Sequence, residues 1–299
     1  MKRLHLSPAL PLTFILSALF VGCEEFLSVP WFGLPGQSVT SYPAQVGNRW
    51  EYRRTGYFHN IRLVDTTVVF IFDTIRATSI VEIIAQTNLP ANPGSGDFVT
   101  VSVFRQIENE VSPPGPPIVS YAYLQMAQNV LWMHGYAGGT LAVPRPHNDN
   151  ASVVLNGQTF ASIDEMIEVL TWSIFEVTQD TIQREIPPLK SIQYPLQNGR
   201  QWTFRPAGRP WRIDKRTGPL RIGTRAGATV RYHELRWLYD IDGNGQWDQN
   251  IMLTDEVSSK GLVNRRIDIM DFQLIGPGGE PLGYFDFRDE YTITSMHVP

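Results

Sequence analysis

The chain has 299 residues, is 42% hydrophobic and 18% charged, and carries a formal net charge of −4. That composition supports a packed globular body and excludes a disordered or collagen-like chain, while the mild acidity argues against nucleic acid, whose binding needs a basic face. A single cysteine excludes an intrachain disulfide framework.

The chain opens with Lys2 and Arg3, then an apolar stretch from Leu10 to Val21, then Gly22 directly before Cys23. A basic start, an apolar middle and a small residue ahead of the cut are the parts of a secretory signal. The stretch is shorter than the roughly 18 apolar residues of a spanning helix. With the lone cysteine placed at the cut, the segment resembles the lipobox of bacterial lipoproteins, Phe20 standing where that motif usually has Leu. The resemblance implies removal of residues 1–22, acylation of Cys23 (palmitate among the chains) and attachment to a membrane through that lipid. Cleavage would remove Lys2 and Arg3 and leave a more acidic chain with no thiol for catalysis or a thiolate metal site. Glu24-Glu25 rather than Asp follows the cysteine, which points to the outer membrane or cell surface. Residues 23–41, with Pro30 and Pro35 and no sustained period, read as a tether.

From Tyr42 onward the prolines and glycines lie among Val, Ile, Thr, Phe and Tyr runs, a pattern of strands and turns. Tyr42-Pro43-Ala44-Gln45-Val46-Gly47-Asn48-Arg49-Trp50-Glu51-Tyr52-Arg53 returns as Tyr194-Pro195-Leu196-Gln197-Asn198-Gly199-Arg200-Gln201-Trp202-Thr203-Phe204-Arg205. Each copy combines a glycine turn with a strand whose aromatics fall on one face. The repeat predicts two related, mainly antiparallel β units, sandwich-like or half-barrel-like, over 42–190 and 191–299. In the first, strands are expected over 66–72, 80–86, 98–107, 121–126 and 130–134. Ser162 with Glu165 reads as a capping box, and Ile163, Met166, Ile167, Leu170 and Ile174 share one face, which predicts a short helix near 162–174 packed on the sheet. Ile186-Pro187-Pro188-Leu189-Lys190 reads as a break between the units. In the second unit, strands are expected over 228–239, 246–254, 262–271 and 283–295.

Both copies of Pro-x-Gln-x-Gly-x-x-Trp-x-aromatic, together with Gly261-Leu262-Val263-Asn264-Arg265, resemble segments of a diffuse group of bacterial lipoproteins, with Asn264 where Lys is usual. The resemblance implies a secreted, lipid-anchored β-domain and carries no activity with it.

Asp240, Asp242, Asn244, Gln246 and Asp248 alternate around Gly243 and Gly245, and oxygen ligands at such spacing about a sharp glycine turn are what calcium requires. The twelfth position is Ile251, so Asp255 or Glu256 would have to fold back to close the site. The same residues also suit a hairpin connection with solvated acids, and both readings stay open. From Arg200 to Arg236, nine Arg and Lys215 face only Asp214 and Glu234. Such a block engages phosphate or sulfate groups of an envelope polysaccharide, or lines a wet face and pairs with acids. His134 and His233 lie in apolar strands as structural histidines. No nucleophile elbow, phosphate loop or His-Glu-x-x-His motif is present. The expectation is a lipid-anchored envelope protein with a non-catalytic binding or scaffolding role, its partners the membrane and an envelope polysaccharide or protein. Its alternatives are a half-barrel carrier of an apolar ligand, which a continuous cavity would favour, and an envelope hydrolase, which converging carboxylates would favour.

Overall fold

The computed structural model describes residues 39–64, 74–92, 94, 96–112, 114–138, 151–171, 182–208 and 211–298. The leader, Cys23, most of the tether, the strand expected over 66–72, and Ile174 lie outside them. Residues 49–138 form an antiparallel meander of β1 (Arg49–Leu63), β2 (Ile75–Pro90), β3 (Phe98–Ser112), β4 (Ile118–Ala127) and β5 (Val130–Gly138). A small hairpin, β6 (Ser152–Leu155) and β7 (Gln158–Phe160), leads into helix α1 (Ile163–Thr171), and β8 (Gln183–Gln193) returns to pair with β5. The second meander comprises β9 (Gln201–Arg205), β10 (Arg212–Arg225), β11 (Ala228–Asp240), β12 (Ile251–Ser258), β13 (Gly261–Ile275) and β14 (Pro281–His297).

Strand β14 pairs with β1, so the two meanders join into one sheet in the order β8-β5-β4-β3-β2-β1-β14-β13-β12-β11-β10-β9, with β6 attached to β13. The sheet is antiparallel and nearly closed, like a barrel. Period-two alternation supplies its inner face: on β1, Trp50, Tyr52, Arg54, Gly56 and Phe58 are buried while their neighbours are not. At the gap between the terminal strands, Trp202 Nε1 donates to Lys190 O and Lys215 Nζ donates to Ser191 O, each at 3.0 Å. Side chains of β9 and β10 thus stitch to β8 where backbone pairing stops.

Three buried clusters fill the interior, and each draws on both the 42–190 and 191–299 segments. One gathers around Trp50, another around Trp202, and the largest holds Ile163, Met166, Ile167 and Leu170 against Phe160, Trp211 and Tyr239. Helix α1 is nine residues long, marginal on its own. Burying four apolar side chains, about 1.5–3 kcal/mol each, holds it in place. The capping box forms as expected: the Glu165 N–H donates to Ser162 Oγ at 3.1 Å, and Glu165 Oε2 accepts from the Ala161 N–H. Tyr239 Oη donates to Leu170 O at 2.6 Å and ties the helix end to β11. The helix is too short to cross a membrane.

Several expectations change. Ile186–Lys190 is not a break but part of β8, a terminal strand of the sheet whose pairing with β5 skips Pro187 and Pro188 at an irregularity. Edge strands and bulges are where a sheet tolerates proline. Strand β10 carries no expectation from sequence because Gly218-Pro219 interrupts it; the structure absorbs both at a bulge between Thr217 and Leu220. Residues 246–250 are loop, and β12 begins only at Ile251.

Candidate functional site

The two motif copies place matching elements at the start of each meander. Gly47 and Gly199 both have positive φ, 94° and 80°, which a residue with a Cβ adopts only at a cost. The Asn48 N–H donates to Gln45 O and the Arg200 N–H to Gln197 O, while the glycine amides reach across to Ile83 O and Thr217 O. Trp50 then faces Val81 on β2, and Trp202 faces Lys215 on β10. Val81 and Lys215 both line one cavity of about 260 Å³ inside the sheet.

The cavity walls come from both meanders and from β8. Aromatic and aliphatic groups such as Tyr52, Phe104, Leu131, Phe204, Trp237 and Val257 make up most of the surface, and Ser79, Gln106, Lys215, Asp255, Arg265 and Tyr291 bring polar groups to it. Apolar walls with a few converging polar groups are the usual form of a small-molecule site, and this volume lies just below their usual range of roughly 300–1,000 Å³, which suits a small ligand.

The charges in the wall are not equivalent. Asp255 accepts from Arg265 Nε at 2.6 Å, from Arg265 Nη2 at 3.1 Å and from Trp237 Nε1 at 2.9 Å. Burial opposes its charge, yet Arg265 beside it holds the carboxyl below the usual range, with Lys215 and the Trp237 N–H adding to the effect. Lys215 has no such partner. Among the described residues it forms no ion pair within 4 Å; Nζ donates to Ser191 O and lies 3.6 Å from the Trp237 ring centre and 4.3 Å from that of Phe204. Burial pushes this ammonium down to about 7, with Asp255 pulling it up and Arg265 pushing it further down.

Above Lys215 in chain terms, β1 and β14 supply a second ionic group. Arg54, fully buried, bonds Asp289 at 2.9–3.1 Å, pairs with Glu108, and lies over the Tyr291 ring at 5.4 Å. Tyr291 is 7% exposed and its hydroxyl has no hydrogen-bond partner among the described residues. Burial raises the Tyr42 phenol to about 12 and Tyr52 and Tyr291 well above the ordinary value near 10.

The residues singled out for calcium lie elsewhere. Residues 241–250 connect β11 to β12, and their acids are engaged within that loop: Asp240 accepts from the Gly245 N–H at 3.2 Å, Asp242 from Asn244 N and Nδ2, and Asp248 from the Ile241 N–H and from Asn156 Nδ2 of the β6–β7 turn. Asn244 Oδ1 accepts from the Gln246 N–H, so Gln246 joins through its backbone. Burial raises Asp248, and the nearby Asp242 and Asp240 add to the rise. Neither Asp255 nor Glu256 folds back to close the loop; Asp255 belongs to the cavity, and Glu256 binds Arg225 on the other face. Among the described residues no cluster of three or more His, Cys, Asp or Glu side chains is gathered for a metal ion.

Most of the Arg-rich block is paired. Arg212 meets Asp214, Arg221 and Arg236 meet Glu234, and Arg225 meets Glu256. Arg200 is spent on the carbonyls of Tyr194 and Pro195. His134 bonds Gln125, and His233 bonds Gly218 O. Lys215 differs in being buried with no acid within ion-pair distance among the described residues, and a charge count along the block cannot show this because its depth follows from its places opposite Trp202 and Trp237. No motif in Asp255, Arg265 or Tyr291 points to a cavity. Only period-two reading of β12–β14 from a known register would turn them inward.

No protein-family model matches the chain, and no curated protein matches it. Among solved structures, a protein of Bacteroides fragilis NCTC 9343, provisionally described as exported and as having a YmcC-like fold, is 7% identical over 86% of this chain and 99% of that one, with a TM-score of 0.32. A protein of Parabacteroides distasonis ATCC 8503, provisionally described as a lipoprotein, is 9% identical over 87% of this chain and 100% of that one, with a TM-score of 0.28. Likenesses at these scores carry no assignment, so what this chain is rests on its own sheet and cavity.

Proposed function

We propose that this chain is a lipid-anchored envelope protein that binds a small, largely apolar ligand inside its barrel-like sheet. The cavity is the observation that carries the reading, since the walls of a packed interior otherwise meet without a space of this size. The anchor rests on the Lys2 to Cys23 segment, whose order of basic, apolar and small residues ends at the one thiol. The outer membrane or cell surface is the compartment that Glu24-Glu25 favours. Asp255 is the one acid of the cavity wall among the described residues and is held by Arg265. A binding role therefore suits the cavity better than hydrolysis, which needs a second carboxylate or a histidine in reach. Ala122 lines the wall, and Ala122→Trp fills the space. Native mass spectrometry of the protein extracted from its membrane should show a retained small molecule in the wild type and not in this variant. Equal retention, or none in either, sinks the cavity reading. Cys23→Ser should abolish incorporation of labelled palmitate; labelling that persists removes the anchor.

Calcium at residues 240–248 is a second reading, favoured by the oxygen-bearing side chains around this glycine turn, where burial raises Asp248 and the neighbouring Asp242 and Asp240 add to the rise. A divalent cation would relieve it and tighten the turn. Millimolar calcium should then raise the melting temperature of the wild type and leave Asp240→Asn/Asp242→Asn unmoved. An equal shift in both rules the site out.

A further inference from the structure

Resting on the cavity reading, we propose that the ligand is an amphipathic monocarboxylate, its acid group bound by Lys215 Nζ and its apolar body laid against Phe204, Trp237 and Val257. Three observations point there. Lys215 is 2% exposed and, among the described residues, no acid lies within ion-pair distance of it, although buried ammonium groups are ordinarily paired or neutralised. The one carboxylate in the wall among the described residues, Asp255, is occupied by both arms of Arg265 and by the Trp237 N–H, so Arg265 and Asp255 pair with each other and Lys215 is left with two aromatic faces and a carbonyl but no acid of its own. Tyr291, in the same wall, buries a hydroxyl with no partner among the described residues, a second donor in that wall. One anionic head would supply what both lack, and an otherwise aromatic and aliphatic lining suits an alkyl or aryl body.

The equivalent position in the first meander sharpens this. Val81 opposite Trp50 has the same place in its strand pair as Lys215 opposite Trp202, and a valine there packs without any demand for a partner. A lysine at that depth costs stability through desolvation unless something compensates it. Its bond to Ser191 O uses one of three N–H donors and helps close the gap to β8, which leaves two for a ligand.

Proton linkage makes the inference measurable. In the empty cavity Lys215 loses its proton near pH 7. A bound carboxylate restores it, so binding above pH 7 takes up a proton. Arg265 is raised and Asp255 lowered, while Tyr42 and Tyr136 are pushed up to about 12 and Tyr52 and Tyr291 are raised further, so these neighbours in the wall keep their charge state between pH 6 and 9.

The test is calorimetric titration of the full chain in lipid nanodiscs, with empty nanodiscs as the blank, using hexanoate and hexan-1-ol in buffers of different ionisation enthalpy. Hexanoate should bind at least tenfold more tightly than the alcohol at pH 6, take up close to one proton per molecule at pH 8, and lose about tenfold in affinity per pH unit above 7. The alcohol should show neither effect. Lys215→Met should reduce hexanoate to the affinity of the alcohol; should that variant fail to fold, the wild-type proton uptake decides alone. Hexan-1-ol bound as tightly as hexanoate, or hexanoate bound with no proton uptake, overturns the carboxylate inference and leaves the cavity reading standing. Binding of neither overturns both.

Discussion

The strands opened by Trp50 and Trp202 begin with the same turn and the same aromatic spacing, yet they do different work in the sheet. Strand β1 is central, paired on one side with β2 and on the other with β14. Its tryptophan donates to Lys260 O at 2.6 Å and lies on Gly261, while Tyr52 Oη donates to Leu262 O at 2.8 Å. The first motif copy therefore docks on the β12–β13 turn and the start of β13. Strand β9 is terminal and five residues long, and its tryptophan reaches over the gap to Lys190 instead. Four residues past each tryptophan the difference is greater still: Arg54 continues the buried face of β1, where Pro206 has already ended β9. A local motif builds a turn and an inward aromatic; what that aromatic holds depends on the neighbours the topology supplies.

The largest expected break of the comparison is Arg54→Met, which strands Glu108 of the first meander and Asp289 of the second in the interior of the sheet. Removing one member of a buried ionic group costs about 3–5 kcal/mol, read as a lower midpoint in urea unfolding; a loss under 1 kcal/mol would mean the two acids are solvated. Gly261→Ala comes next, at about 2–3 kcal/mol. Gly261 has φ +99°, and a Cβ there would sit 2.9 Å from Trp50 Nε1, so backbone strain and overpacking combine. The same substitution at Gly227, which has positive φ but nothing within 4 Å, should cost only the backbone part, about 1 kcal/mol, and the difference between the two measures the docking of Trp50.

Trp202→Phe tests the terminal copy. It keeps a ring but removes the bond to Lys190 O, and should cost about 2 kcal/mol while speeding hydrogen exchange in β8 and β9 more than in β1. Uniformly faster exchange would show that the gap is held by other contacts. The smallest effect is a slope. Because the folded chain holds the Lys215 proton less tightly than the unfolded chain, whose value is near 10.5, the ligand-free protein gains stability as pH rises through about 7 and upward. That gain approaches ~1.4 kcal/mol per pH unit. Lys215→Met should flatten the slope, and a slope unchanged in that variant assigns it to other groups.

Much of the local structure was legible before any coordinates. Period-two aromatics located β1 and β9, Val, Ile and Thr runs located most of the other strands, and Ser162 with Glu165 located the start of α1. The short hairpin β6–β7 escaped, as did β8 and β10, the two strands that carry proline inside, and bulges and a terminal position explain how those two tolerate it. The Asp240–Asp248 loop was visible as a loop, since its residues bond mostly to one another. The cavity was not visible. Lys215, Asp255, Arg265 and Tyr291 sit on four different strands, and their convergence is set by strand order and register, which put Asp255 opposite Arg265 and Arg265 opposite Tyr291.

The sequence alone determined the turns, the alternation of each regular strand, the helix cap and the leader's order of residue types, because each depends on groups within a few positions of one another. Tertiary structure decided that β14 closes onto β1, that Trp50 rests on Gly261, and that one lysine in an arginine-rich stretch turns inward with no acid to meet it among the described residues. Those outcomes are set by strand order and register, where a shift of one residue moves a side chain from solvent to interior.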